Sequence, residues 1–353
     1  MTLNPHLPAR WLPAGAAAAL LAAALFGAGT PLAKVLLAGI SPWMLAGLLY
    51  LGSGLGLATL RLMRQAPPAH LQAGEWSWLA GAVMMGGVVG PVLLMFGLTA
   101  MPASGAALLL NAEGVFTALL AWFVFRENFD LRIALGMLTI VAGAVVLSWP
   151  GQAKFGALWP ALAVLGACLA WGVDNNLTRK VSLADATWVA MVKGLAAGSM
   201  NLTIALTLGA PLPSMGVLAG AAILGFLSYG ISLALFVVAL RHLGTARTGA
   251  YFSVAPFFGA VLAVLILDEP VTSTLLVAGG LMGLGVWLHI IERHVHTHGH
   301  LPLEHEHEHE HDVHHYHHPL GDPAPVRHTH RHRHDPMTHS HEHYPDEHHR
   351  HSH

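Results

Sequence analysis

The chain alternates long apolar stretches with short connections marked by proline and polar residues. Ten stretches reach roughly the 20 mostly apolar residues needed to cross about 30 Å of hydrocarbon. They run over 14–37, 43–63, 76–98, 103–125, 131–149, 156–178, 186–208, 214–240, 246–267 and 272–291. Between them stand helix breakers: Ser41-Pro42, Pro67-Pro68, Pro102, Pro150-Gly151, Pro211 with Pro213, and Pro270. The pattern predicts an all-α integral membrane protein of ten transmembrane helices. Gly52/Gly56, Gly86/Gly90, Gly216/Gly220 and Gly279/Gly283 are spaced for close helix contact. Beyond residue 291 the apolar pattern stops.

The spans repeat. Phe26-Gly27, Leu32, Lys34 and Trp43 recur 145 residues later as Trp171-Gly172, Leu177, Arg179 and Trp188. Gly114, Glu127 and Gly143 recur 142 residues later as Pro256, Glu269 and Gly285. The chain therefore reads as a short N-terminus (1–13), a five-helix repeat (14–149), a second five-helix repeat (150–291) and a tail (292–353). Five is odd, so the two halves face opposite ways across the bilayer, an arrangement typical of secondary transporters with a site near the midplane. The first stretch follows Arg10 and resembles a secretory signal. Its recurrence as span six argues that it stays in the protein.

Charge sets the orientation. With the N-terminus in the cytoplasm, and Lys34 and Lys193 left out as lying within or at the end of spans, the inner side carries Arg10, Arg61, Arg64, Arg126, Arg132, Arg179, Lys180, Arg241, Arg247 and Arg293, and the outer side only Lys154. That bias places both termini in the cytoplasm and the protein in a cytoplasmic (inner) membrane.

Composition then narrows the function. Of 353 residues, 54% are hydrophobic and 10% charged, with a mean hydropathy of +0.55, against about 25% charged in a soluble protein. A soluble enzyme and a soluble binding module are excluded. There is no P-loop, no Gly-x-Ser-x-Gly string and no helix-borne zinc motif, so an enzyme is not expected. The formal net charge is −2 and no basic surface points to nucleic acid. The single cysteine, Cys168, can form neither an intramolecular disulfide nor a Cys-based zinc site.

Ionisable groups deep in a span are costly and mark substrate or ion paths. Glu113 lies mid-span with Asn111 two positions before it, and suits a group that takes up and releases a proton. Lys193, two turns inside span seven, could pair with Glu113 or meet an anionic substrate. Asp174 and Asn175 form a polar cluster with Asn176 near the inner end of span six. Lys34, Arg179 and Tyr251 are weaker candidates, since long cations snorkel and rings pack. Substrate or coupling contact is thus assigned to Glu113, Asn111, Lys193, Asp174, Asn175, Lys34 and Tyr251, while Glu127 and Glu269 read as loop locks.

Three runs carry a family resemblance: "FGAGTPLAK" in span one, "LLLNAEGVFTALLAWFVFREN" in span four and "YFSVAPFFGAVLAVLILDEP" in span nine. Residues 1–293 resemble the EamA-type transporters of the drug/metabolite transporter superfamily, where the fourth helix of each half typically ends in a Gly/Asp-Glu pair, matched by Arg126-Glu127 and Asp268-Glu269. The resemblance implies ten spans, two EamA domains and movement of small metabolites, without naming a substrate. Gly114 stands where the family favours proline, which Pro256 keeps.

The tail holds 23 of the 27 histidines in the last 60 positions and almost no aliphatic residues. It is expected to be disordered. His305, His307, His309, His311, His314, His315, His317 and His318 alternate or cluster with acids and could hold zinc, nickel or cobalt. Three readings compete: a metal collector or sensor, metal binding unrelated to transport, and a pH-responsive segment. The string His305-Glu306-x-x-His309 is an accident of alternation and not a protease motif. No cofactor is required.

The resulting expectation is a secondary active transporter, an exporter of a small organic metabolite or drug-like solute by alternating access. The alternatives are a divalent-metal efflux protein fed by the tail, and a membrane metal or pH sensor that transports nothing. Expected partners are the solute and the lipid bilayer; divalent ions and a second copy of the chain as a homodimer are compatible.

Overall fold

The computed structural model describes residues 14–66, 71, 74–124, 131–148, 158–181, 185–243, 248, 251–290, 295–300, 303–310, 327–334 and 337–342. They fall into two units, 1–291 and 292–353.

The helices of the first unit are α1 (Ala14–Leu36), α2 (Pro42–Met63), α3 (Glu75–Ala82), α4 (Gly90–Ala100), α5 (Ala103–Leu109), α6 (Ala112–Phe123), α7 (Leu131–Ser148), α8 (Trp159–Thr178), α9 (Ala186–Thr207), α10 (Met215–Gly225), α11 (Ser232–Leu243), α12 (Ala255–Leu267) and α13 (Ser273–Ile290). A π-helical segment, Val83–Val89, joins α3 to α4, and another, Phe226–Ile231, joins α10 to α11. Among the described residues, six helices are long and apolar enough to cross a membrane: Gly15–Leu36, Pro42–Met63, Glu75–Ala100, Ala103–Leu120, Ala186–Thr207 and Met215–Ala239. Shorter apolar helices occupy Ala134–Ser148, Ala255–Leu267 and Ser273–Leu288.

Local sequence sets the helix ends. Ser41 caps α2 by accepting from the Met44 amide (3.3 Å), with Pro42 in the first turn, where its missing N–H costs nothing. Gly209 (φ 76°) and Asp268 (φ 51°) adopt the left-handed conformation just past α9 and α12. Asp185 caps α9 through the Trp188 amide (2.9 Å) and accepts from Arg61 (2.7 Å), tying the end of α2 to the start of α9. Burial pushes the Asp185 carboxyl up, but Thr187, the Trp188 amide and Arg61 together outweigh it and hold it below the ordinary carboxylate range. Asp185→Ala should therefore cost about 1 kcal/mol at neutral pH, the usual worth of a cap. Because the folded carboxyl titrates lower than the unfolded one, this contribution is complete above the ordinary value of about 3.9 and is lost as the pH falls through the lowered one. Unfolding curves of both proteins across that range check it: a gap that persists in acid would show that the charge plays no part.

Packing follows the internal repeat. α2 lies against α9, and α7 against α13, so each repeat offers its second and its last helix to the other. α1 packs on α12, and correspondingly α8 packs on α6; α1 packs on α11 and the Phe226–Ile231 segment, and α8 on α4 and the Val83–Val89 segment. The agreement extends to single residues. A Cβ on Gly27 would meet Phe258 and the Gly259 backbone, and one on Gly172 would meet Phe116 and the Thr117 backbone, the same positions shifted by 145 and 142. A Cβ on Gly29 would meet Ser228, just as one on Gly86 would meet Asp174, with 29 matching 174 and 86 matching 228. Such one-to-one contacts are what an approximate two-fold axis between the halves produces.

Of the four glycine pairs spaced for contact, two make it: a Cβ on Gly52, Gly56, Gly86 or Gly90 would lie within 3.0 Å of a facing helix. Gly216 faces open space, and Gly220, Gly279 and Gly283 have only ordinary contacts. A four-residue spacing places two glycines on one face but does not say which face meets a neighbour.

In the second unit, β1 (Val295–His300) pairs antiparallel with β4 (Met337–Glu342), and β2 (Leu303–Glu310) with β3 (Arg327–His334). Strict alternation of His and Glu has the two-residue period of a strand. The register sets His305, His307 and His309 opposite His332, His330 and His328.

Candidate functional site

Breaks in the helices position the site. The fourth apolar stretch is interrupted at Leu110 and Asn111, where α5 ends and α6 begins, with the Leu110, Asn111 and Glu113 amides bonded to carbonyls three residues back. Glu113 thus sits in the first turn of α6, a favourable place for a carboxylate near a helix N-terminus. The ninth stretch is interrupted at the repeat-related place, with turns at Ser253 and Val254 before α12. Across from α5 and α6, the π segment Val83–Val89 frees carbonyls for side chains. The Gly86 carbonyl accepts from the Tyr50 hydroxyl (2.6 Å) and from Trp171 Nε1 (2.9 Å), and the Gly87 carbonyl accepts from Asn201 Nδ2 (2.9 Å).

The charged groups meet between α8, α9 and this segment. Lys193 Nζ donates to both carboxylate oxygens of Asp174 (2.5 and 2.6 Å) and to Thr178 (3.3 Å), and the pair is nearly dry, with side chains 16% and 8% exposed. Thr178 also donates to Asp174 (2.9 Å). Only glycine fits at position 86, because a Cβ there would lie 1.8 Å from an Asp174 oxygen. Next to this pair, Asn175 Nδ2 donates to the Glu113 carboxylate (2.9 Å) and to Thr117 (3.1 Å). Asn176 is buried and holds the Thr117 and Gly172 carbonyls (3.1 and 2.8 Å), which fastens α8 to α6. Glu113 is half-buried, Asn175 is exposed, and the position beside Gly114 is open. Glu113 lies within electrostatic reach of Asp174 and Lys193.

The residues expected from sequence divide accordingly. Glu113, Asp174, Asn175 and Lys193 come together, with Lys193 on Asp174 and not on Glu113. Asn111 turns away: it is buried and donates to the Leu108 carbonyl (2.8 Å) and towards the Met282 sulfur (3.9 Å), satisfying the helix break. Tyr251 packs with Ala18, Ala19 and Ala239. Lys34 works at the opposite end of the bundle, donating to the Leu98 and Met101 carbonyls at the end of α4. Beside it, the Glu269 carboxylate accepts from the Ala103 amide (2.6 Å), the Ser104 amide (2.9 Å) and the Ser104 hydroxyl, capping α5 from the other repeat. A cavity of about 200 Å³ borders Glu269, Ser104 and Thr272, and Glu113 is not among its lining residues. The side chains of His305, His307, His309 and Arg179 lie outside the described residues, as do His311, His314, His315, His317, His318 and Glu127. Among the described residues, no three His, Cys, Asp or Glu side chains gather as a metal site.

Tyr50, Trp171, Thr117, Thr178 and Asn201 belong to the same network and were not marked as site residues. The adjacent glycines Gly86-Gly87 in a valine-rich run were the available signal, since two glycines mid-span invite close approach of polar side chains.

Helix breaks at repeat-related places and a polar network between the halves agree with the comparison of the chain with known proteins. The EamA-like transporter family matches twice, over residues 13–149 and 158–291. The chain belongs to that family. Both repeats are EamA units, and this EamA protein is accordingly a multi-pass membrane transporter of the drug/metabolite type. It is 29% identical over 286 residues to an uncharacterized transporter of Methanothermobacter thermautotrophicus, covering 74% of this chain and 82% of that one. Over 85 residues it is 33% identical to the probable 4-amino-4-deoxy-L-arabinose-phosphoundecaprenol flippase subunit ArnE of Enterobacter sp. (strain 638), covering 24% of this chain and 78% of ArnE. A protein of known crystal structure shares the fold with a TM-score of 0.60 at 19% identity, over 77% of this chain and 95% of that one. The EamA matches leave the tail outside.

Proposed function

We propose that this EamA transporter exports a small organic solute across the cytoplasmic membrane by alternating access, with Glu113 as the carboxylate that alternately meets solute and proton. The observation that carries this reading is the half-buried, amide-bonded Glu113 at a helix break, beside an ion pair that is already closed on itself. The reading takes the ten apolar stretches as ten spans, the halves as inverted and both termini as cytoplasmic, which the distribution of Lys and Arg supports. In that orientation Lys34 and Glu269 lie at the outer end. Each fixes the 98–104 connection from a different repeat, so outward opening requires both sets of hydrogen bonds to part.

The test is release of solutes into the medium by cells producing the full chain or Glu113→Gln, read by untargeted mass profiling. One or more organic solutes should accumulate outside cells with the full chain, and their release should fall by at least about ten-fold with Glu113→Gln, the loss of one charged contact. Profiles that are the same for the full chain and for cells lacking it would sink the transport of organic solutes. Full proton-coupled transport by Glu113→Gln would remove the carboxylate from coupling.

The tail is proposed to hold zinc, nickel or cobalt on the cytoplasmic side, as an accessory to transport. The register that sets histidine opposite histidine supports this, since cross-strand neighbours lie about 5 Å apart. Equilibrium dialysis of the full chain against zinc should show several bound ions, and a chain ending at residue 293 should have lost them. Equal zinc on both would take the tail out of metal chemistry.

A further inference from the structure

The two repeats are built alike but are chemically unlike where they face each other. Around α8, the Val83–Val89 segment and α6, the repeat-related positions are polar: Asp174, Asn175 and Glu113. Around α1, the Phe226–Ile231 segment and α12, the same positions are Gly29, Thr30 and Ala255, and rings take over. Tyr229 stands 5.7 Å from Phe26, Phe26 stands 5.3 Å from Phe252, and Phe252 stands 4.9 Å from Phe236. Tyr50 joins the two sides. Its hydroxyl donates to the Gly86 carbonyl among the polar groups, where it feels the charges of Asp174 and Glu113, and its ring lies 5.6 Å from Tyr229.

The charges on the polar side do not balance. Among the described side chains, two carboxylates, Glu113 and Asp174, face one ammonium, Lys193. Both oxygens of Asp174 are taken by Lys193, and Thr178 donates to one of them and accepts from Lys193. The partner of the Glu113 carboxylate among the described residues is the neutral amide of Asn175. A carboxylate in a low-dielectric site without a cation of its own favours a cation from outside. Aromatic faces alongside attract the same charge and accept an apolar body.

From this we infer that the transported solute is an amphiphilic organic monocation, an ammonium head attached to an aromatic or aliphatic body. Its head is held by Glu113 and Asn175, and its body lies along Tyr50, Tyr229 and Phe26. This assignment rests on the transport reading above and deepens it. The approximate two-fold axis makes two matching faces; divergence of the repeats makes one acidic and the other aromatic. A solute with two unlike ends fits such a pair of faces.

The test uses the purified full chain and four probes measured by calorimetry and by uptake into proteoliposomes: benzyltrimethylammonium, tetramethylammonium, the neutral N,N-dimethylbenzamide and the anion phenylacetate. Benzyltrimethylammonium should bind on the order of ten-fold tighter than the other three, by adding a cation–carboxylate contact to ring contacts. Glu113→Gln should lose that preference for the cation, and Glu113→Asp should retain part of it, which separates loss of charge from loss of folding. Tyr229→Ala should lose the preference for benzyltrimethylammonium over tetramethylammonium. Equal affinity for all four probes, or cation binding unchanged in Glu113→Gln, overturns the assignment. Glu113-dependent uptake of phenylacetate or the amide in place of the cation also overturns it, while leaving the transport reading intact. That reading falls separately, on an unchanged solute profile in the medium.

Discussion

Lys193→Ala is expected to destabilise the full chain by about 3–5 kcal/mol, because it leaves the Asp174 carboxylate buried without its counter-ion. The pair is closed at 2.5 and 2.6 Å with side chains 16% and 8% exposed, so little water can replace the lost ammonium. Asp174→Asn alone should be comparably harmful, since it strands the ammonium. The double variant Asp174→Asn/Lys193→Met should recover much of the loss, as uncharged groups of similar volume carry no desolvation penalty. Asparagine is the right replacement at 174 because the side chain lies against the Gly86 backbone, where there is no room for a larger one. Unfolding curves in detergent of the full chain, Asp174→Asn, Lys193→Met and the double variant close a cycle and give the coupling energy directly. A coupling near zero would mean that the pair is hydrated in the membrane-embedded protein and contributes nothing to the fold.

Gly27→Ala is expected to force α1 away from α12, since the added Cβ would lie 2.3 Å from the Ala255 carbonyl oxygen and 3.0 Å from the Gly259 nitrogen. Both obstacles are backbone, so no rotamer change relieves them, and overpacking of this kind costs about 1–3 kcal/mol. Gly172→Ala, at the related position in the other repeat, meets Phe116 and Thr117 at 3.0 Å and should cost less. Gly216→Ala meets nothing within 4 Å and should be neutral or stabilising by up to about 1 kcal/mol through helix propensity alone. Melting temperatures should therefore fall in the order Gly216→Ala, Gly172→Ala, Gly27→Ala. If Gly27→Ala melts with Gly216→Ala, the tight crossing of α1 and α12 does not exist in solution. The same variant bears on function, because Phe26 and the Ala255 turn flank the aromatic wall.

Much of this architecture can be read along the chain. Runs of apolar residues bounded by proline and glycine have one stable form in hydrocarbon, the helix, because every backbone group must be bonded within its own segment. The 145- and 142-residue offsets state the duplication, and two matches to one family follow from the same residues. Glu113, Asp174, Asn175 and Lys193 stand out individually because charge is rare and costly in a span. Their identity as site candidates needed no coordinates.

Their partnership did need them. Lys193 could have met either Glu113 or Asp174, and nothing in spacing favours one over the other. The choice is made by α8 and α9 approaching across the Val83–Val89 segment, where Gly86 leaves room for the Asp174 side chain. Asn111, two positions from Glu113, falls on the opposite side by helical spacing alone, but that its amide is spent on the Leu108 carbonyl at the helix break is a tertiary fact. The carbonyls offered by the π segment are equally hidden from sequence, since a π turn shifts the hydrogen-bond register without a composition of its own.

What the sequence by itself determined is the set of apolar helices, their duplication, the family and the short list of costly polar groups, all of which depend on local hydropathy and on matching residues. What only the tertiary structure decided is that Lys193 neutralises Asp174, that Glu113 is bonded by the neutral Asn175 amide, and that one face of the repeat pair is acidic while the other is aromatic. Those outcomes depend on contacts between residues scores of positions apart, and on gaps of a few tenths of an ångström between helices that no linear pattern records.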